Sequence, residues 1–144
     1  MPKLGLLTLN VRGAQESGLF AKLIHEFKSW TQSKGISVMV VQEHNIRPDR
    51  QSEIERIAAS KGIKCIASFA PANPAGGHTG GVLILLDEKT VTYEDTLVNI
   101  NGLITIRVDW GGEKKEIGGV YAPSNDLERI DFFNNIRSKI TKTR

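Results

Sequence analysis

A single carboxylate at the end of an apolar run is the residue best suited to chemistry in this chain. Val38-Met39-Val40-Val41 leads into Gln42-Glu43-His44-Asn45. A hard divalent cation such as Mg²⁺ takes oxygen ligands and needs one or two protein carboxylates, with water and substrate phosphate filling the rest. Glu43 suits that task, and taken alone it equally suits an exposed loop. Local sequence by itself favours the loop. Asn10 closes a similar run, Leu4-Gly5-Leu6-Leu7-Thr8-Leu9. Its amide can orient Glu43, bind a cation or a phosphate, or simply form a turn before Gly13. Tyr121, in Gly118-Gly119-Val120-Tyr121-Ala122-Pro123, again stands at a strand end. A phenol there can donate to a phosphate oxygen or stabilise developing charge, or serve as a strand-end aromatic.

The remaining polar residues near these ends carry less information. Arg12, Arg47 and Arg50 follow the two runs and can touch phosphates or be solvated. His44 and His78 have no Cys, His or Asp neighbours at metal-ligand spacing, which argues against zinc. His25 reads as a surface residue of a helix. The stretch Ala70–Gly81, with four glycines and two prolines, is a loop. It lacks Gly-Lys-Ser/Thr and precedes a strand, so it is neither a P-loop nor a dinucleotide fingerprint.

These residues need a scaffold, and periodicity supplies one. β-branched runs read as strands buried on both faces, and the carboxyl edge of such strands is where open α/β sheets place ligands. Strands are expected at Leu4–Leu9, Ile36–Val41, Ile63–Phe69 and Val82–Leu86. Between them, Leu19, Phe20, Leu23, Ile24, Phe27 and Trp30 recur at helical spacing, with Ser17 as cap and Gly35 as stop. Pro48 and Asp49 open a second helix with Ile54, Ile57 and Ala58, ending at Lys61-Gly62. The chain then turns β-rich: Val91–Glu94, Leu103–Val108 and Glu116–Tyr121, with Trp110-Gly111-Gly112-Glu113 as a hairpin signal. A last helix carries Leu127, Ile130, Phe133, Ile136 and Ile140, capped by Ser124 or Asn125. The expected fold class is α/β (α+β): a mixed sheet with helices on one face. Something must cover the other face, through either a thin second sheet or a partner.

The 144 residues make one domain, 1–144, long enough to bury a core of roughly 68–70% of the unfolded surface. Apolar content of 40% and charged content of 24% are those of an ordinary soluble chain. The net charge of +3 permits nucleic-acid binding without arguing for it. Residues 1–72 carry ten Lys/Arg against six Asp/Glu, and residues 73–144 carry nine against ten. The basic end from Arg137 to Arg144 reads as a solvated tail. One cysteine, Cys65, excludes an intramolecular disulfide, fits a reducing compartment and reads as a packed strand residue. No secretory signal is visible, and nothing approaches the ~20 apolar residues of a membrane span.

Taken in order, Leu7-Thr8-Leu9-Asn10-Val11-Arg12-Gly13, Val41-Gln42-Glu43-His44-Asn45, Gly80-Gly81-Val82-Leu83-Ile84-Leu85 and Gly119-Val120-Tyr121-Ala122-Pro123 resemble the endonuclease/exonuclease/phosphatase superfamily. Within it, the chain resembles the N-terminal part of the apurinic-endonuclease-like nuclease of LINE-type (non-LTR) retrotransposons, and the Asp131-Phe132-Phe133 helix fits its next element. The resemblance implies two packed mixed sheets flanked by helices, a deoxyribonuclease-like four-layer fold that is incomplete at the C-terminus here. It makes Glu43 the ligand of Mg²⁺ or Mn²⁺, Asn10 its assistant and Tyr121 a contact to the scissile phosphate. It also makes Arg12, His44, Asn45, Arg47, His78 and Tyr121 candidates for nucleic-acid contact. The implied reaction is metal-dependent nicking of DNA, which primes reverse transcription in such elements. The implied location is intracellular, and nuclear where chromosomal DNA is the target. The family's Gly-Asp-Phe-Asn-like and Ser-Asp-His-like motifs are absent, and no histidine follows His78. Two expectations follow. One is a nuclease scaffold that is inactive or weakly active on its own. The other is a non-catalytic module that binds nucleic acid or protein, paired with a second copy or completed by the missing C-terminal half.

Overall fold

The computed structural model describes residues 5–14, 17–70, 80–100 and 102–120. Strand β1 (Gly5–Asn10) leads through helix α1 (Ser17–Lys34) to β2 (Ile36–Gln42). A 3₁₀ turn at Pro48–Arg50 precedes α2 (Gln51–Ala59), and β3 (Ile63–Ser68) and β4 (Val82–Asp87) follow. The rest is β5 (Val91–Ile100), β6 (Leu103–Trp110) and β7 (Glu113–Val120). The expected C-terminal helix lies outside the described residues. Gly35 and Gly62 stop the two helical segments at φ +68° and +73°, a left-handed backbone that glycine adopts without steric cost.

The strands form two sheets. The first has the order β1-β2-β4-β3, with β1 and β2 parallel and the other pairs antiparallel. The second is an antiparallel meander, β5-β6-β7. Side chains alternate across a strand, so the first sheet feeds two cores. Met39, Val41, Cys65, Ala67, Leu83 and Leu85 pack with Phe20, Ile24 and Phe27 of α1 and with Ile54 and Ala58 of α2. Val38, Val40, Ile66, Val82, Ile84 and Leu86 pack with Val91, Ile104, Ile106, Val108, Trp110 and Ile117 of the second sheet. The helices therefore lie on one face, as the pattern predicts. The chain's own three-stranded sheet covers the other.

Two features bear on the candidate site. Gly119 lets β7 sit directly on the first sheet: a Cβ there would meet Val82 Cγ1 at 2.6 Å and Val40 Cγ1 at 2.7 Å. β7 thus ends over the strand ends that carry Gln42 and Gly81. β1 has an exposed face toward the second sheet's side. Leu6, Thr8 and Asn10 are exposed, while Leu7 and Leu9 pack on the helix-side core.

Candidate functional site

The site is a rim where β1 and β2 end and β4 begins. Asn10 pairs in register with Gln42, the residue before Glu43. The Asn10 side chain is exposed, and its Oδ1 accepts the Arg12 N–H at 3.1 Å. This is the local turn bond that Asn makes two residues on. It leaves the amide nitrogen and one lone pair for a ligand.

Glu43 stitches three strand ends through its backbone. Its N–H donates to Gly81 O at 2.8 Å, continuing the β2–β4 ladder. Its carbonyl accepts the Gly13 N–H at 2.8 Å, on the β1 side. In extended backbone both groups would point toward the same neighbour. Glu43 instead has φ +62°, and that turn sends the carbonyl the other way. The half-buried Glu43 side chain makes no hydrogen bond or ion pair among the described residues.

Glu43 is not alone in this conformation. Among the described residues, the non-glycine residues at positive φ are Arg12, Glu43 and Asn45, and all three lie on this rim. Left-handed backbone costs a non-glycine residue on the order of 1–3 kcal/mol and persists only where the surroundings enforce it. The enforcement is visible. Val11 N–H reaches Gln42 O, Ala14 N–H reaches His44 O at 2.7 Å, and Asn45 N–H reaches Gly80 O at 2.9 Å.

The nucleic-acid contact expected of His44 is not one this ring can make as folded. The residue is 0% exposed, and both nitrogens are engaged. Nδ1 accepts the Ile46 N–H at 2.8 Å, so Nε2 carries the proton and donates to Ser68 O at 2.9 Å. The ring also meets Phe69 edge to face at 5.6 Å. Burial pushes its pKa down to about 4, against the opposing pull of the Ser68 bond. Asn45 is half-buried, and its Oδ1 accepts the Gly80 N–H. Arg12 and Arg47 are exposed, and Arg47 lies 3.5 Å from exposed Asp49. Tyr121 and His78 lie outside the described residues. Cys65 is buried, and its thiol is pushed up to about 12, chiefly by that burial, so it is a packed residue rather than a nucleophile.

Ser68 and Gly102 carry no signal in the sequence, and Gly80 and Gly81 stand there only as part of a motif. Ser68 is 0% exposed, and its Oγ accepts the Gly102 N–H at 3.1 Å, while Asn99 Nδ2 donates to Ala67 O at 2.9 Å. Both bonds tie the β5–β6 turn to the end of β3. A Cβ on Gly81 would stand 2.4 Å from His44 Nε2. Only the glycine pair and the histidine, read together, could have signalled this contact.

The donors offered here are hard oxygens: one carboxylate and one amide. They fit a Mg²⁺ ion that keeps most of its water or takes phosphate oxygens. They do not resemble the nitrogen and sulfur set of zinc. Among the described residues, no three His, Cys, Asp or Glu converge to cage an ion. No described helix is long and apolar enough to cross a membrane.

No protein-family model matches this chain, and no curated protein matches it in sequence. Solved structures do. An AP endonuclease from Archaeoglobus fulgidus is similar over 99% of this chain and 52% of its own, at TM-score 0.59 and 16% identity. D. rerio TDP2, complexed with single-strand DNA product, is similar over 98% of this chain and 56% of its own, at TM-score 0.57 and 16% identity. The AP endonuclease LMAP from Leishmania major is similar over 94% and 46%, at TM-score 0.59 and 13% identity. The chain thus spans about half the length of these proteins, and over that span it has the two-sheet α/β fold that AP endonucleases and TDP2 share.

Proposed function

We propose that this chain is the N-terminal portion of a divalent-metal-dependent DNA endonuclease of the kind carried by LINE-type retrotransposons. Glu43 holds Mg²⁺ or Mn²⁺, Asn10 assists it, and Tyr121 contacts the scissile phosphate. Arg12 and Arg47 sit where backbone phosphates pass. Bound metal would supply charge stabilisation on the phosphoryl group and an activated water. The chain's own contribution is to fix one carboxylate at a strand end. The observation that carries the reading is the cluster of left-handed backbone at Arg12, Glu43 and Asn45. Strain of this kind gathers at functional sites. The carboxylate it presents has no partner among the described residues.

Loss of a general acid or base costs ~10²–10⁴ in rate, and the Asp- and His-bearing motifs of the resembled family are absent. The isolated chain is therefore a binder of metal and DNA rather than an efficient nuclease, acting in the nucleus where the target is chromosomal. The test is a Mn²⁺ titration followed by NMR. Selective broadening of the Gly13, Glu43 and Asn45 amides, abolished in Glu43→Gln, supports the reading. Broadening spread over unrelated carboxylates sinks it. Plasmid nicking that disappears in Glu43→Ala would overturn the claim of inactivity.

A second reading has its own support. Leu6 is 49% exposed on the face of β1 away from the helices, and Val120 is 40% exposed at the end of β7, an edge strand among the described residues. Exposed apolar residues at sheet edges invite another chain. On this reading the scaffold is a non-catalytic module, either paired with a second copy or completed by a C-terminal half. Light scattering that shows a stable monomer at high concentration would count against the pairing.

A further inference from the structure

Two buried polar side chains connect Glu43 to the far sheet. His44 follows Glu43 directly, and its Nε2–H donates to Ser68 O at 2.9 Å. Ser68 ends β3, and its Oγ accepts the Gly102 N–H of the β5–β6 turn at 3.1 Å. His44 and Ser68 are both 0% exposed. On the other side of the ring, Nδ1 accepts the Ile46 N–H at 2.8 Å, fixing the backbone that leaves the site. A line of hydrogen bonds therefore runs from the second sheet, through the end of the first, to the residue adjoining the candidate ligand.

We infer that His44 and Ser68 are positioning residues that hold Glu43 in its left-handed, ligand-presenting conformation. The inference rests on reading Glu43 as a metal ligand. Glu43 keeps its φ of +62° only while its neighbours hold still. Glu43's own backbone bonds to Gly81 and Gly13 set the turn. They would do so loosely if the next residue could swing. A ring bonded at both nitrogens, and pressed edge-on against Phe69, cannot swing. Ser68 in turn cannot shift without breaking the Gly102 bond between the two sheets. Groups that orient a metal ligand from behind characteristically contribute about 10–100-fold to metal affinity.

Isosteres separate the two ends of the ring. His44→Asn keeps an acceptor for the Ile46 N–H two residues on and loses the donor to Ser68. His44→Gln reaches toward Ser68 with a donor and loses the Ile46 acceptor. Ser68→Ala keeps the carbonyl that His44 uses and removes only the link to Gly102. Each variant, as the full chain, is measured by the intraresidue HN–Hα NOE of Glu43, which is strong at positive φ and weak at negative φ, and by Mn²⁺ titration. The expected result is a folded protein in which that NOE weakens and Mn²⁺ binds about tenfold more weakly. Ser68→Ala is the mildest change and remains informative if a His44 variant fails to fold. A Glu43 NOE and Mn²⁺ affinity equal to the parent's, in variants that merely unfold at lower denaturant, would overturn the inference and leave His44 as core filler. The NOE is read without metal. A parent chain that ignores Mn²⁺ therefore defeats the functional reading alone.

Discussion

Asn45 and Gly80 hold each other by two hydrogen bonds: the Asn45 N–H donates to Gly80 O at 2.9 Å, and Asn45 Oδ1 accepts the Gly80 N–H. A side-chain amide thereby stands in for a strand's carbonyl and adds one rung to the β2–β4 ladder past its end. Asparagine is suited to the place twice over. It can accept that bond, and it tolerates the left-handed backbone, φ +58°, that the place demands. Asn45→Ala leaves the Gly80 N–H unpaired and adds backbone strain. The expected loss is ~2–3 kcal/mol of unfolding free energy. Asn45→Asp keeps the acceptor and costs less. Urea unfolding of the two variants measures the difference, and equal losses would contradict the bond's role.

Gly81 and Gly112 make a controlled pair, because both are glycines at nearly the same angle, φ +88° and +86°. A Cβ on Gly112 meets nothing within 4 Å, whereas one on Gly81 strikes His44 Nε2 at 2.4 Å and Ser68 O at 3.0 Å. Gly112→Ala should therefore cost only the left-handed strain, ~1–2 kcal/mol. Gly81→Ala adds a clash against a ring locked by its own hydrogen bonds and should cost ~3 kcal/mol or more. Thermal unfolding of both variants checks the ordering, and a Gly81→Ala no worse than Gly112→Ala would refute the packing argument.

The same contrast explains what was legible in the sequence and what was not. Gly111-Gly112 between Trp110 and Glu113 announces a two-residue hairpin. The structure has that turn, with both glycines at positive φ. The doubly buried runs of β2 and β4 were equally plain. β5 was not. Expected at Val91–Glu94, it runs Val91–Ile100, because register shifts at Tyr93/Asp95 and Thr96/Val98 break the two-residue period that would reveal it. β7 begins at Glu113 rather than Glu116. Its charged start is paired to β6 and lies at an edge of the described sheet, where charge is tolerated. His44 was unreadable for another reason. A polar residue in a polar stretch reads as surface, and its burial depends on a carbonyl 24 residues away.

Gly119 offers a test of how the two sheets meet. Its missing Cβ would overlap the Cγ1 atoms of Val40 and Val82. These are side-chain ends, so the overlap is relieved by trimming them. Gly119→Ala alone should lose ~1–3 kcal/mol. Val40→Ala alone should lose about as much by opening a cavity. Together they should lose less than the sum, by at least ~0.5 kcal/mol. Simple additivity in denaturant unfolding would mean that β7 does not press on Val40 as the structure has it.

The buried histidine gives stability a specific dependence on pH. Its folded pKa, about 4, lies below its ordinary value of 6.5. Between those values the unfolded chain binds the proton and the folded chain does not. Stability then rises with pH through that window, is complete above about 6.5 and falls as the solution is acidified toward 4. Protonating Nδ1 would also set a donor against the Ile46 N–H that now donates to it. The full difference corresponds to roughly 3 kcal/mol. Carboxylates titrate in the lower part of the same range, so the quantity to measure is parent minus variant. Urea midpoints for the parent and His44→Asn at pH 7.5 and pH 5 should converge as the pH falls, because the variant has no proton to bind at this position. A gap between them that stays constant across the window would show that the ring titrates alike in the folded and unfolded chain.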